Sequence, residues 1–161
     1  MLNRVWQTSS IRVLLIGSAY FALASISIFL SRSDSTVAHF WYPNAIAIAF
    51  LLKEDKKSVW LLALALVAAN FFSNWFAGSS WHLSLAFLLP NCVDVLLAVW
   101  LARRFQIVPD FDQSPKRMLR FIFLMCLLPS GLGALTGASL FASMDIATFA
   151  TLLPVWFVGS S

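Results

Sequence analysis

Five side chains that form strong hydrogen bonds sit inside long apolar stretches: Asn44, Asn70, Asn74, Asn91 and Asp94. Asn70 and Asn74 are spaced i,i+4 and Asn91 and Asp94 i,i+3, so on helices each pair projects from one face. Pro43 and Pro90 each directly precede an asparagine, and an embedded proline leaves a carbonyl one turn earlier without its donor. Such a set is suited to gripping a ligand by hydrogen bonds or to tying helices together. A carboxylate placed like Asp94 must be neutral, paired or hydrated, and the partners expected for it are Asn91, Asn70 or a ligand. Catalysis fits poorly. There is no paired-carboxylate site, no nucleophile with a positioned base, no phosphate loop and no H-E-x-x-H. His39 and His82 lie beside Trp41 and Trp81 without a second ligand at metal spacing. Cys92 and Cys126 fall in apolar runs and read as small packed hydrophobes. The expectation is therefore a binding protein, with no metal, no cofactor and no enzymatic activity of its own.

The elements that must position these groups follow from composition. Of 161 residues, 60% are hydrophobic and 11% charged, against roughly 45–50% and roughly 25% in a soluble domain. That excludes a soluble globular enzyme and a disordered chain. The net charge of +4 comes from short basic clusters between apolar runs, a membrane topology signal and not a nucleic-acid surface. Apolar runs extend over Val13–Ser31, Val37–Leu52, Val59–Ala77, Leu83–Ala102 and Met118 to about Ala142, and a sixth begins near Ile146. A hydrocarbon core of about 30 Å takes about 20 helical residues, whereas spanning strands are about 9–11 residues long and alternate in polarity. The fold class expected is an all-α, polytopic transmembrane helical bundle of five complete spans and an incomplete sixth. It forms one integral-membrane domain over 1–161, without a soluble output domain. The sixth run would leave its last carbonyls unsatisfied in lipid, so the chain is expected to be the N-terminal part of something longer. Ser58, Asp145 and the pair Ser114-Pro115 are expected to start helices. A cleaved signal peptide at Ala22-Leu23-Ala24 is the competing reading of the first run, but the apolar residues continue past it to Leu30.

Orientation follows from the basic residues. With the N-terminus in the cytoplasm, Arg4, Arg12, Lys53, Lys56, Lys57, Arg103, Arg104, Lys116, Arg117 and Arg120 all lie inside, leaving only Arg32 of the eleven outside, as the positive-inside rule requires. Trp41, Tyr42, Trp75 and Trp81 then fall near the outer boundary and Trp60 and Trp100 near the inner one. At about 1.5 Å per residue, the Asn and Asp side chains come about 8 to 16 Å below the outer boundary on three helices, permitting a shared polar pocket. Farther along, Gly133 and Gly137 form a G-x-x-x-G face, flanked by the row Ser130, Ala134 and Ala138, which reads as a helix-packing surface.

The strings FWYPNAIAIAFLL (Phe40 to Leu52), LVAANFFSNWFAG (around Val67 to Gly78), PNCVDVLLAVWLARR (Pro90 to Arg104) and the terminal WFVGSS, which begins at Trp156, resemble the bacterial membrane-associated sensor domain of the first type, MASE type 1. Trp41, Pro43, Asn44, Asn70, Asn74, Asn91, Asp94, Trp100, Arg103 and Arg104 match its motifs in order and spacing, over about Val37 to the end. The resemblance implies a sensory module of about eight spans in the bacterial inner membrane. In longer proteins such modules are joined to cytoplasmic GGDEF, EAL or histidine kinase domains. Trp41, Pro43, Asn44, Asn70, Asn74, Asn91, Asp94 and Trp156 are then the candidate ligand-binding residues, and Gly133 and Gly137 the packing residues. The stimulus is not implied. The alternative is a substrate-binding membrane subunit of a vitamin-type importer, where broken helices and midplane polar groups are also expected. An assembly-partner protein relying on the G-x-x-x-G face is a third reading. The partners expected are the lipid bilayer, an output domain and an unknown ligand, with no nucleic acid.

Overall fold

The computed structural model describes residues 9–31, 41–54, 58–107 and 114–160. All regular structure among them is helical: α1 (Ser9–Ser31), α2 (Pro43–Lys53), α3 (Val59–Phe76), α4 (Trp81–Ala86), α5 (Leu88–Phe105), α6 (Pro115–Phe121), a π-helical segment (Ile122–Leu127), α7 (Leu128–Ser143) and α8 (Phe149–Ser160). Four rods are long and apolar enough to cross a membrane: Ser10–Leu30, Val59–Phe76, Trp81–Phe105 and Pro115–Ser143. Their outer surfaces carry large apolar side chains that water would not tolerate in such numbers, among them Leu14, Phe29, Trp60, Phe76 and Leu119.

Prolines divide the longer rods. Pro90 has no N–H to offer the Ala86 carbonyl, and the helix breaks at Phe87, between α4 and α5. The π-helical segment comes just before Pro129, where the missing donor again loosens the ladder. Ser80 caps α4, its side chain accepting from the Leu83 N–H at 3.3 Å. Pro115 occupies the first turn of α6 behind Ser114, whose carbonyl accepts from the Arg117 and Met118 amides.

The packing can be followed residue by residue. α1 and α3 run side by side in the same direction, with Gly17 against Ala65 and Phe21 edge-on to Phe76. α2 lies along α5, Asn44 level with Asp94 and Leu51 level with Arg103. On the other side of α5, the antiparallel α7 brings Gly133 to Asp94 and Phe141 to Phe87, and α8 returns along α7 with Trp156 against Gly137. One apolar core joins α1, α2, α3 and α5 through Ile16, Ala24, Leu51, Leu62 and Val99. A second joins α4, α7 and α8 through Phe87, Phe141, Leu152 and Trp156.

Three expectations change. In the second run Val37 to Phe40 lie outside the described residues, and the helix there, α2, starts at Pro43, after Trp41 and Tyr42. Trp41 gives its N–H to the Gly159 carbonyl at 2.8 Å instead of to its own helix, and Pro43, with no N–H, sits in the first turn, so it opens α2 and does not kink it. The eleven residues of α2 measure about 16 Å, half a membrane core. Asp145 does not cap the last helix. It takes a left-handed conformation, φ 56°, in the preceding turn, and the Thr148 side chain accepts from the Thr151 N–H at the start of α8. Trp41, placed at the outer boundary by sequence, is buried because its indole has a partner inside. Arg4, Arg32, His39, Lys56 and Lys57 lie outside the described residues, as does the middle of the loop after α5.

Candidate functional site

Asn44, on the first turn of α2, is the hub of a buried network. Its Nδ2 donates to Asp94 Oδ2 at 2.7 Å and to Asn91 Oδ1 at 3.3 Å, both on α5. Its Oδ1 accepts from the Trp41 indole at 3.0 Å and from the Tyr20 hydroxyl of α1 at 3.4 Å. The same hydroxyl accepts from Asn70 Nδ2 of α3 at 3.0 Å. Four helices, α1, α2, α3 and α5, are thus linked by side chains that are each at least nine-tenths buried. At about 1.5 Å per residue, Tyr20 and Asn70 lie about 16 Å from the starts of their helices and Asp94 about 20 Å from Trp81, close to mid-length of each rod.

The direction of every bond follows from two groups that cannot reverse. An indole N–H only donates, so Trp41 fixes Asn44 Oδ1 as the acceptor and turns Nδ2 toward the carboxylate. Tyr20 must then donate to Asn44, which leaves its lone pairs to receive Asn70 Nδ2. The Phe87 carbonyl, an acceptor, takes Asn91 Nδ2 at 3.0 Å, so Asn91 presents Oδ1 to Asn44. At the end of this chain of donors Asn70 Oδ1, buried, has no hydrogen-bond partner. Asp94 is therefore held by Asn44, with the Ser130 hydroxyl of α7 at 3.5 Å as an alternative to its nearer acceptor, the Ser160 carbonyl, and not by the Asn91 or Asn70 side chains expected from sequence, whose amide donors are committed elsewhere.

The remaining candidates divide. Asn74 turns back along α3, its Nδ2 reaching the Asn70 carbonyl at 3.0 Å, as does the Ser73 hydroxyl at 2.9 Å. Pro43 is buried beside Asn44. Trp156 stands apart in the second apolar core, against Phe87 and Phe141. Gly133 and Gly137 are both at close helix crossings. A Cβ on Gly133 would come within 3.1 Å of the Pro90 carbonyl and 3.2 Å of Asp94 Cβ, and one on Gly137 within 2.7 Å of the Trp156 ring. The end of α8, expected to leave bare carbonyls, reaches the edge of the network, where Trp41 N–H takes the Gly159 carbonyl and the Ser130 hydroxyl the Ser160 carbonyl at 3.0 Å.

Tyr20 was not among the residues singled out by sequence, and Ser130 was read only as part of the small-residue packing row. A tyrosine in the middle of an apolar run was the available signal for the first, because a buried hydroxyl requires a partner.

Beside the network lies a half-open cleft of about 240 Å³ between α3 and α5, with Tyr20, Asn70 and Asn91 as its polar wall and Ala47, Leu66 and Val95 among its apolar residues. At the opposite end of α2, Glu54 accepts from Arg12 of α1 at 2.7 Å and Arg103 of α5 donates to the Leu51 carbonyl at 2.8 Å. α2 therefore runs from the amide network to a cluster of formal charges.

Apolar rods joined through a buried network of amides, hydroxyls, an indole and one carboxyl group are the build of a membrane-embedded helical domain. The chain belongs to the MASE1 family, whose model matches residues 12–161; these are membrane-associated sensory domains. No curated protein and no solved structure matches the chain.

Proposed function

We propose that this chain is the sensory input domain of a bacterial signalling protein, a multi-pass domain of the inner (plasma) membrane with its N-terminus in the cytoplasm. Its output is a cytoplasmic GGDEF, EAL or histidine kinase domain, so that the stimulus controls cyclic-di-GMP turnover or phosphotransfer carried out elsewhere. α2 and α8 complete the crossing of the membrane with the four long rods. The single observation behind this reading is that α2 joins the two ends of the path. Its first turn holds Asn44 in the network, and its last carries the Leu51 carbonyl and neighbouring Glu54, held by Arg103 and Arg12. A ligand that favours one arrangement of the network shifts α2 between two packings, and the charged end follows it.

Asn70→Ala together with Asp94→Ala in the full-length protein abolishes the stimulus response while membrane insertion is kept; a normal response removes the network from the mechanism. Reporter fusions after Gly78 and near Asp112 should read periplasmic and cytoplasmic, respectively. The importer reading draws on the meeting of the α8 carboxyl end with the α2 amino end at the network, the geometry of discontinuous transporter helices. Energised uptake of a small molecule by the chain together with an ATPase partner would favour it over the sensor.

A further inference from the structure

We infer that the cleft between α3 and α5 is a binding site for a lipophilic molecule carrying a hydroxyl group, an alcohol or phenol on an apolar body, which enters sideways from the bilayer and donates its hydroxyl proton to Asn70 Oδ1. The inference deepens the sensor reading by naming the chemistry of its ligand.

Three observations converge. First, the entrance lies between rods and not at their ends. Trp60 and Leu64 on α3 and Leu96 on α5 line the cleft and are largely exposed, and α3 and α5 make few direct contacts with each other. An opening between two spanning rods faces acyl chains. Second, water is a poor occupant. A volume of about 240 Å³ is room for about eight waters at about 30 Å³ each, and each needs two to four polar partners. Among the lining side chains, Tyr20, Asn70 and Asn91 supply most of the hydrogen-bonding groups, with the Trp60 indole a single donor and the Cys92 thiol a weak one, too few for about eight waters. An apolar body satisfies the other walls.

Third, the polarity of the unfilled position is fixed. Trp41 can only donate, which orients Asn44, then Tyr20, then Asn70, and leaves an oxygen, not an amide N–H, as the buried atom without a partner. An occupant must therefore present a donor, and a ketone, ether or ester has none. Since Asn70 Oδ1 is shielded, reaching it requires the Asn70 side chain or α3 to shift against Tyr20. That displacement couples occupancy to Asn44 and so to α2.

Cys92 lines this cleft, and Cys126, in the π-helical segment, does not. Each is partly exposed, so the pair supplies a reporter and its internal control. The full chain in phosphatidylcholine nanodiscs is treated with a small membrane-permeant maleimide, alone or with 1-octanol, octyl methyl ether or octane. Alkylation of each cysteine is followed by peptide mass spectrometry. 1-Octanol should slow Cys92 without slowing Cys126, and it should act at about tenfold lower concentration than the ether or octane, the worth of one buried hydrogen bond. Asn70→Leu should erase the preference for the alcohol while leaving some protection by all three. Ala63→Phe, which fills the cleft from α3 and leaves the network intact, should abolish protection altogether.

Should Asn70→Leu fail to fold, the probe series on the native chain and Ala63→Phe still decide. Equal protection by 1-octanol and octane, or none of Cys92 by any probe, overturns the proposal. Doping the nanodiscs with dioleoylglycerol separates the sources: protection by it identifies a bilayer lipid hydroxyl, and protection by 1-octanol alone a free amphiphile. The assay reads binding without any output domain, so its failure leaves the sensor reading standing, and binding that leaves the output of the full-length protein unchanged removes that reading instead.

Discussion

The two sides of α5 hold their neighbours by different means. Toward α1, α2 and α3 the helix presents Asn91 and Asp94, and the contact runs through directed hydrogen bonds to Asn44 and, by way of Asn44, to Tyr20 and then Asn70. Toward α7 it meets Gly133, with one long hydrogen-bond contact, Ser130 to Asp94 at 3.5 Å, and beyond that Gly137 closes on the Trp156 ring, so that shape dominates this side. Each side also carries a cleft. On the α7–α8 side it is about 500 Å³ and apolar, bordered by Phe123, Leu127, Leu135, Leu153 and Phe157; the smaller one, on the α3 side, has the amide wall. Volume would choose the larger. Chemistry chooses the smaller, since an apolar groove on a membrane protein is filled by any acyl chain, whereas an unpartnered oxygen discriminates among occupants. Hydrogen-bonded helices can exchange partners between two arrangements, and close-packed small residues cannot. The first side is therefore suited to responding and the second to holding still.

The sharpest break in that contrast is Asn44→Ala. It strips a partner from Asp94, Asn91, Trp41 and Tyr20 at once, and buried groups left without partners cost about 1–3 kcal/mol each. A loss of at least about 2 kcal/mol is expected once partial rescue by neighbouring groups is allowed for. The midpoint of unfolding on titrating dodecyl sulfate into mixed micelles, followed by tryptophan fluorescence, measures it. A midpoint near that of the native protein would show that the packing of α1, α2, α3 and α5 does not depend on the hub.

Gly137→Leu tests the opposite side. Its Cβ alone would stand 2.7 Å from the Trp156 ring, so α8 must move away, at an overpacking cost of about 1–3 kcal/mol. The same titration should show the loss. If this side is the rigid one, signalling in the full-length protein should fall only as far as folded protein falls, with the stimulus dependence of what remains unchanged.

How much of this was legible in the sequence depends on where the information is stored. The all-helical architecture and the rods at Val59–Phe76 and Trp81–Phe105 follow from local composition, and the i,i+3 and i,i+4 spacings put Asn91 with Asp94 and Asn70 with Asn74 on shared faces before any fold is known. The partners were not legible. Asn44 reaches Asp94 across fifty positions, a distance no spacing rule covers, and the order of donors is set by Trp41, which an aromatic-belt argument assigns to the surface. Trp156 shared a motif with the candidate residues yet packs in the other core, because its position on α8 is dictated by the small residues of α7. The start of α2 was missed for a tertiary reason as well: the Trp41 N–H goes to Gly159, at the far end of the chain.

Asn70→Leu separates stability from response more finely than either change above. The substitution removes a donor to Tyr20 but leaves that hydroxyl donating to Asn44, and it also removes the oxygen that has no partner. The two effects oppose each other, so stability should stay within about 1 kcal/mol of the native value, while the stimulus response in the full-length protein is lost. A stable variant that still responds would place the sensing event outside the amide wall.

The smallest effect is expected from Leu135→Ala. Leu135 borders the larger cleft and is 44% exposed among the described residues, so its methyl groups face lipid as much as protein. Since lipid is as apolar as leucine, exchanging one for the other changes little, and acyl chains can fill the space that truncation opens. The unfolding midpoint should move by less than about 1 kcal/mol equivalent, well under the 2–5 kcal/mol of a core leucine lost in a soluble protein, and the response to stimulus should be kept. A lost response at unchanged stability would mean that the apolar cleft has an occupant that matters, and the asymmetry drawn between the two sides of α5 would then be one of degree.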